Sequence, residues 1–123
     1  MLVSCEYVID RSKRLATITV SGRVKGPAVA AAIEAVYQDP DWAARFALLG
    51  DLTGVTEALL EKSDFPAFVA VHRKYEAVAP RIEIILVRRE LEKTMAQVYR
   101  AFMKVVSHKV CVCSSIEQAV QML

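Results

Sequence analysis

Polar and apolar residues alternate through Leu15-Ala16-Thr17-Ile18-Thr19-Val20-Ser21, the two-residue period of a strand with one wet face. Cys5 to Asp10 reads as its partner. The short polar stretch Arg11-Ser12-Lys13-Arg14 between them predicts an antiparallel hairpin, with Gly22 ending its second strand. Gly26-Pro27 then opens a first helix, because proline in the first turn gives up only an N–H that has no helical partner. Val29, Ile33 and Val36 or Tyr37 form its inner stripe, and Asp39-Pro40-Asp41-Trp42 breaks it, since the residue before proline is pushed out of the helical region. The next strand begins at Phe46 and stops on Asp51 and a Thr53-Gly54 turn.

Ser63-Asp64-Phe65-Pro66 carries cap-type residues ahead of a second helix through about Ala79, with Phe65, Phe68, Val69, His72 and Tyr75 at helical spacing. Ile82-Glu83-Ile84-Ile85-Leu86-Val87 is a near-continuous apolar run, as expected for a central strand covered on both faces. Leu91, Met95, Val98, Phe102 and Val105 recur at spacings of four and three, the most amphipathic helix in the chain. Val110 to Cys113 reads as a last strand. A capping box, Ser114 with Glu117 or Ser115 with Gln118, predicts a terminal helix with Ile116, Ala119, Val120 and Leu123 on its apolar face.

This order, a hairpin followed by alternating helices and strands, predicts an α/β fold: a mixed five-stranded sheet with right-handed crossovers and about four helices over it. The 123 residues suit a single domain. No internal repeat, linker or low-complexity stretch interrupts them.

The segment Asp51-Leu52-Thr53-Gly54-Val55 resembles the one that closes the third strand in STAS domains, typified by bacterial anti-sigma-factor antagonists, and is closer to their SpoIIAA-like branch. The element order from about Tyr7 to Leu123 is also the STAS order. The resemblance implies an architecture and a working edge but no reaction, because that branch is broadly uncharacterised. STAS antagonists follow this segment with an Asp-Ser pair whose serine is phosphorylated. Here that pair falls on or near Leu59 and Leu60, and the nearest hydroxyl at a helix start is Ser63, read instead as an N-cap.

Composition narrows the function classes. With 54% hydrophobic and 24% charged residues, the chain lies far from the disordered regime. Its net charge of +2 is spread without a basic block or aromatic stripe, so no nucleic-acid footprint is present. No apolar run reaches the roughly 18 to 20 residues of a membrane span, and Met1 to Glu6 lack the marks of a signal peptide. Three cysteines, an odd number in a domain this size, point to reduced thiols and a cytoplasmic address.

In open parallel sheets, ligands meet the carboxyl ends of the strands. The loops expected there, 22–26, 51–62, 88–90 and 113–115, would gather Arg23, Lys25, Arg88 and Arg89 near Asp51, Thr53, Gly54, Thr56, Ser63, Ser114 and Ser115, an edge suited to an anionic group or acidic partner. Each residue taken singly also has a plain reading as a cap or a solvated loop position. Asp51 has three readings: a general base, a metal ligand, or an acceptor that ties down the amides of its turn, as aspartate commonly does. Leu59 and Leu60 either pack down as a lid or form an exposed docking patch. Cys111, Cys113 and His108 invite a zinc reading, but Cys-x-Cys on a strand is more often packing, so no metal is expected. His72 falls on a buried helical stripe, where a hydrogen-bonded core histidine is the commoner role.

No nucleophile elbow, Walker loop or dinucleotide fingerprint is present, and no cofactor is expected. The expected function is a non-catalytic regulatory or protein-interaction module with a protein partner, homodimerisation remaining open. The alternative is a carrier holding an apolar or acyl ligand beneath residues 56–62. An enzyme would rest on Asp51 alone.

Overall fold

In the computed structural model, which describes residues 4–123, the chain runs β1 (Ser4–Asp10), β2 (Leu15–Lys25), α1 (Gly26–Gln38), β3 (Ala47–Leu59), α2 (Asp64–Lys74), β4 (Ile82–Leu86), α3 (Glu90–Phe102), β5 (Lys109–Cys113) and α4 (Ile116–Met122). Residues 1–3 of the N-terminal reading lie outside the described residues. The strands form one sheet in sequence order, β1 antiparallel to β2 and the rest parallel, the mixed α/β sheet that the pattern predicts.

Every parallel crossover steps the same way across the sheet, so right-handed connections put α1, α2 and α3 on one face. Ile18, Val20 and Leu48 pack there against Ile33 and Val36 of α1. Ile85, Val87 and Val110 pack against Phe65 and Phe68 of α2 and against Ala96 and Tyr99 of α3. The opposite face receives α4, whose Ala119 covers Leu49, Ile84 and Leu86. Strand β4 is buried along its whole length, and a fully buried isoleucine such as Ile84 contributes roughly 1.5–3 kcal/mol.

Two predicted strand ends are corrected. Strand β2 does not end at Gly22, and β3 does not stop at Asp51. Gly22 takes φ 76°, a conformation glycine adopts without a Cβ penalty, and the pairing shifts register on either side of it. Pairing then continues from Ser21↔Gly54 to Lys25↔Leu59. The last β4 pair is Asp51↔Leu86, so β2 and β3 outrun the sheet as a two-stranded ribbon. A Cβ at Gly54 would sit 3.1 Å from that of Ser21, which shows how closely the ribbon's strands approach. Leu52, Val55 and Ala58 pack with the helix-side core, so the ribbon bends over that face.

The second helix ends at Lys74 rather than near Ala79, giving way to a 3-10 turn at Glu76–Val78. Buried Trp42 donates its indole N–H to the Val78 carbonyl at 2.9 Å and fixes that turn. Ser63 precedes α2 but makes no side-chain cap bond, being already in helical backbone conformation. Asp64 instead accepts from the Glu61 amide at 2.7 Å. Of the two predicted capping boxes, Ser115 with Gln118 forms: Ser115 Oγ accepts from the Gln118 amide, and the Gln118 side chain accepts from the Ser114 amide.

The apolar stripes of α3 and α4 meet the core only in part. The side of α3 that meets the sheet carries Glu92, Ala96 and Tyr99. Of the predicted stripe, Met95 is half-buried and Phe102 stacks on Phe65 of α2 at 5.5 Å while keeping an exposed edge; Leu91 and Val98, and Val105 in the 3-10 turn Met103–Val105 that follows α3, are exposed. On α4 only Ala119 is buried; Ile116, Val120 and Leu123 are exposed. A helix's apolar moment says which face is greasy, and the crossover geometry decides which face the sheet receives.

Candidate functional site

Of the predicted edge residues, Arg23 and Lys25 lie on the β2–β3 ribbon and Arg88 and Arg89 follow β4, and much of their charge is already engaged. Arg23 pairs with Glu57 across the ribbon at 3.0 Å, with both side chains largely exposed. Arg89 binds the buried Glu92 carboxylate through Nε and Nη2, and Nη2 also donates to the Val55 carbonyl at 2.9 Å. This pairing holds Glu92 below the usual carboxylate range against the opposing effect of burial, and raises Arg89. Lys25 and Arg88 stand exposed, as do Gly54, Thr56, Ser63 and Ser114. Asp51 Oδ1 accepts from the Thr53 amide at 2.9 Å and from its hydroxyl at 2.7 Å, the backbone-tying contact among its three readings. Leu59 and Leu60 are half-buried at the ribbon's end, and Leu60 packs on the α2–α3 core.

Beneath the ribbon lies a cavity of about 100 Å³ with an almost wholly apolar wall. Val55, Ala58 and Leu60 roof it, Val29 and Ile33 of α1 and Phe65 and Phe68 of α2 flank it, and Gly50 leaves space in its sheet floor. An ideal Cβ on Gly50 would meet nothing closer than the Ile84 carbonyl at 4.0 Å. A dry apolar cavity of about 150 Å³ holds benzene; this one is about two-thirds of that, of a size for the end of an acyl chain.

Glu83 and Tyr99 also line this cavity and belong to a buried polar cluster that sequence reasoning missed. Glu83 sits in the apolar run of β4, flanked across the sheet by Leu48 and Val110. His108 Nε2 lies 2.9 Å from Glu83 Oε1, and the Tyr99 hydroxyl donates to Oε2 at 2.6 Å. His72 lies with Nε2 2.6 Å from the Tyr99 hydroxyl and Nδ1 2.7 Å from that of Tyr37. One proton assignment satisfies every contact: Tyr37 donates to His72, His72 to Tyr99, and Tyr99 and His108 to Glu83. Burial pushes both tyrosines up, keeping them protonated donors. Burial also holds His72 below its ordinary value. It pushes Glu83 up, but the neighbouring histidines and Tyr99 more than offset it, so the carboxyl lies below its usual range.

His108 does not join the cysteines. It points to the helix face with Glu83, whereas Cys111 and Cys113 pack on the α4 face, and all three cysteines are free thiols. Alternation along β5 separates the two sets by the thickness of the sheet.

No protein-family model matches the sequence, and no curated protein matches it. Solved structures do. An uncharacterised protein of the DUF3478 family from Shewanella loihica PV-4, with a SpoIIAA-like fold, superposes with TM-score 0.66 at 14% identity, over 100% of this chain and 96% of its own. The fold is SpoIIAA-like. The anti-sigma factor antagonist SpoIIAA in its unphosphorylated form also superposes, with TM-score 0.55 at 14% identity, over 98% of this chain and 96% of its own. The SpoIIAA-like sheet and helices therefore account for the architecture expected from the Asp51–Val55 segment and the element order. No helix among the described residues is long and apolar enough to cross a membrane.

Proposed function

We propose that this chain is a non-catalytic regulatory module that docks a protein partner on the outward apolar stripe of α3. The observation that carries this reading is the exposure of Leu91 (59%), Val98 (39%) and Phe102 (42%) along α3, continued by Val105 (60%) in the 3-10 turn after it. Surface apolar residues scattered singly need no explanation, but a row of them marks an interaction face. Arg88, exposed just ahead of α3, adds a basic end suited to an acidic group on the partner. An anti-sigma factor antagonist shares the fold, which agrees with regulation by protein contact. The free thiols suit a reducing, cytoplasmic setting. The test compares in-cell crosslinking of the native chain with that of Leu91→Glu/Val105→Glu. A partner captured by the native chain and lost from an equally stable variant supports the reading. A crosslinking pattern identical for the two defeats it, and a self-crosslink lost in the variant identifies a second copy as the partner.

The cavity favours a second reading, a carrier of a small apolar or acyl ligand under the ribbon. Native mass spectrometry of the freshly purified chain tests it: a reproducible added mass, lost on mild activation, supports a carrier, and a bare chain opposes it.

A further inference from the structure

The chain contains two histidines, one in α2 and one just before β5, and both bring Nε2 to the same buried carboxylate. From this convergence we infer that His72, Glu83 and His108 form a site for one divalent first-row transition ion, Zn²⁺ by ligand type. The donor set of two imidazoles and one carboxylate is one that zinc takes. The candidate ligand atoms lie within 4.8 Å of one another, with His108 Nε2 at 2.9 Å and His72 Nε2 at 3.6 Å from Glu83 Oε1. Tetrahedral zinc with bonds of about 2.0–2.1 Å needs ligand separations of about 3.3 Å. Modest side-chain shifts reach that spacing.

The surroundings fit a ligand set as well as a hydrogen-bond network. The side chains of His72, Glu83 and His108 are 0%, 7% and 3% exposed, so solvent scarcely competes for them. Metal-binding histidines are oriented by a partner on the other ring nitrogen, and the Tyr37 hydroxyl stands at His72 Nδ1. Coordination requires the His72 proton on Nδ1, where the Tyr37 oxygen can accept it, so the ring changes tautomer and remains neutral. Tyr99 donates to the second oxygen of Glu83 and lies beside His72 Nε2, so it orients the carboxylate toward the histidines. His108 also lines a surface cleft. Arg45, Arg81 and Lys109 rim that cleft against Glu76, which disfavours cation entry into the folded chain, so the ion is best loaded during folding.

The experiment refolds the full chain with one equivalent of Zn²⁺ or Co²⁺, desalts it, and measures bound metal by elemental analysis and the Co²⁺ visible spectrum. It includes His72→Gln, His108→Gln and a variant with all three cysteines changed to serine. One ion per chain is expected in the native and cysteine-free proteins, with a tetrahedral Co²⁺ band and no thiolate charge-transfer band. Affinity should fall on the order of 100-fold or more in each histidine variant. Absence of stoichiometric metal from the refolded native chain overturns the site, as does metal that leaves with the cysteines. If a histidine variant does not fold, the cysteine-free protein and the Co²⁺ spectrum still decide.

Discussion

Arg89 joins two parts of the chain: its guanidinium holds the buried carboxylate of Glu92 and also donates to the backbone carbonyl of Val55. The side chain thus ties the start of α3 to the ribbon that roofs the cavity. Adjacent Arg88 stands exposed. Arg89→Ala should therefore lower the melting temperature clearly, because Glu92 loses its counter-charge and the ribbon its tie. Arg88→Ala should stay within about 0.5 kcal/mol of the native protein, as surface substitutions usually do. Denaturation of the two variants side by side checks this, and equal melting temperatures would refute it.

The same pair sets an acid sensitivity. Arg89 above all, with Arg88 adding a smaller contribution, holds Glu92 below the ordinary carboxylate value of about 4.3. Between the depressed folded value and the ordinary unfolded one, the unfolded chain binds more protons, so stability rises with pH. The contribution is complete above the unfolded value and is lost as pH falls through the folded one. Glu92→Gln should flatten the fall in melting temperature as pH drops below the ordinary carboxylate value, relative to the native chain. An unchanged slope would show that this pair does not govern the acid limb.

The sheet was legible because Ala16 to Ser21 alternate strictly and Ile82 to Val87 are apolar almost throughout, patterns that strands of those burial types require. The ribbon was not. Gly22, Asp51 and Gly54 are turn residues by local chemistry, yet a register-shifted pairing between two strands carries the chain through all of them. The α3 stripe was visible but its direction was not, since orientation follows from the crossover and not from the helix's own sequence. The buried cluster left one local sign, a carboxylate inside the run Ile82 to Val87, which must find partners if that run is central. Those partners, His72, Tyr99 and His108, lie on other elements, so only the folded topology brings them together.

Tyr99 occupies the middle of that cluster, giving its proton to Glu83 and standing against His72. Tyr99→Phe keeps the ring and deletes the hydroxyl, leaving one carboxylate oxygen and one imidazole nitrogen short of a partner in the core. The loss should be about 1–3 kcal/mol in urea unfolding. Tyr37→Phe removes a hydroxyl from one nitrogen of His72 only and should cost less, about 0.5–1.5 kcal/mol. The reverse order would show that Tyr37, and not Tyr99, anchors the network.

Exposure of the α3 stripe makes a prediction about stability apart from any partner. Leu91 and Val105 contribute little buried area, so Leu91→Glu/Val105→Glu should change unfolding free energy by no more than about 1 kcal/mol in total. The same change should suppress any concentration-dependent association seen by light scattering. A loss of several kcal/mol would mean that these side chains are covered in solution by the protein itself.

Gly50 separates the carrier reading from a merely imperfect core. Its Cβ direction opens into the cavity, with the nearest atom 4.0 Å away, and its backbone does not require positive φ. A valine there suits a strand and places its methyls in the empty space. If the cavity is only a packing defect, Gly50→Val should raise stability, because filling a void recovers contacts and removes a flexible residue from a strand interior. If the cavity holds a ligand, the variant should lose any added mass found on the native chain in native mass spectrometry, and melt independently of apolar additives that stabilise the native protein. A ligand retained undiminished by Gly50→Val would place the binding site away from the cavity beneath the ribbon.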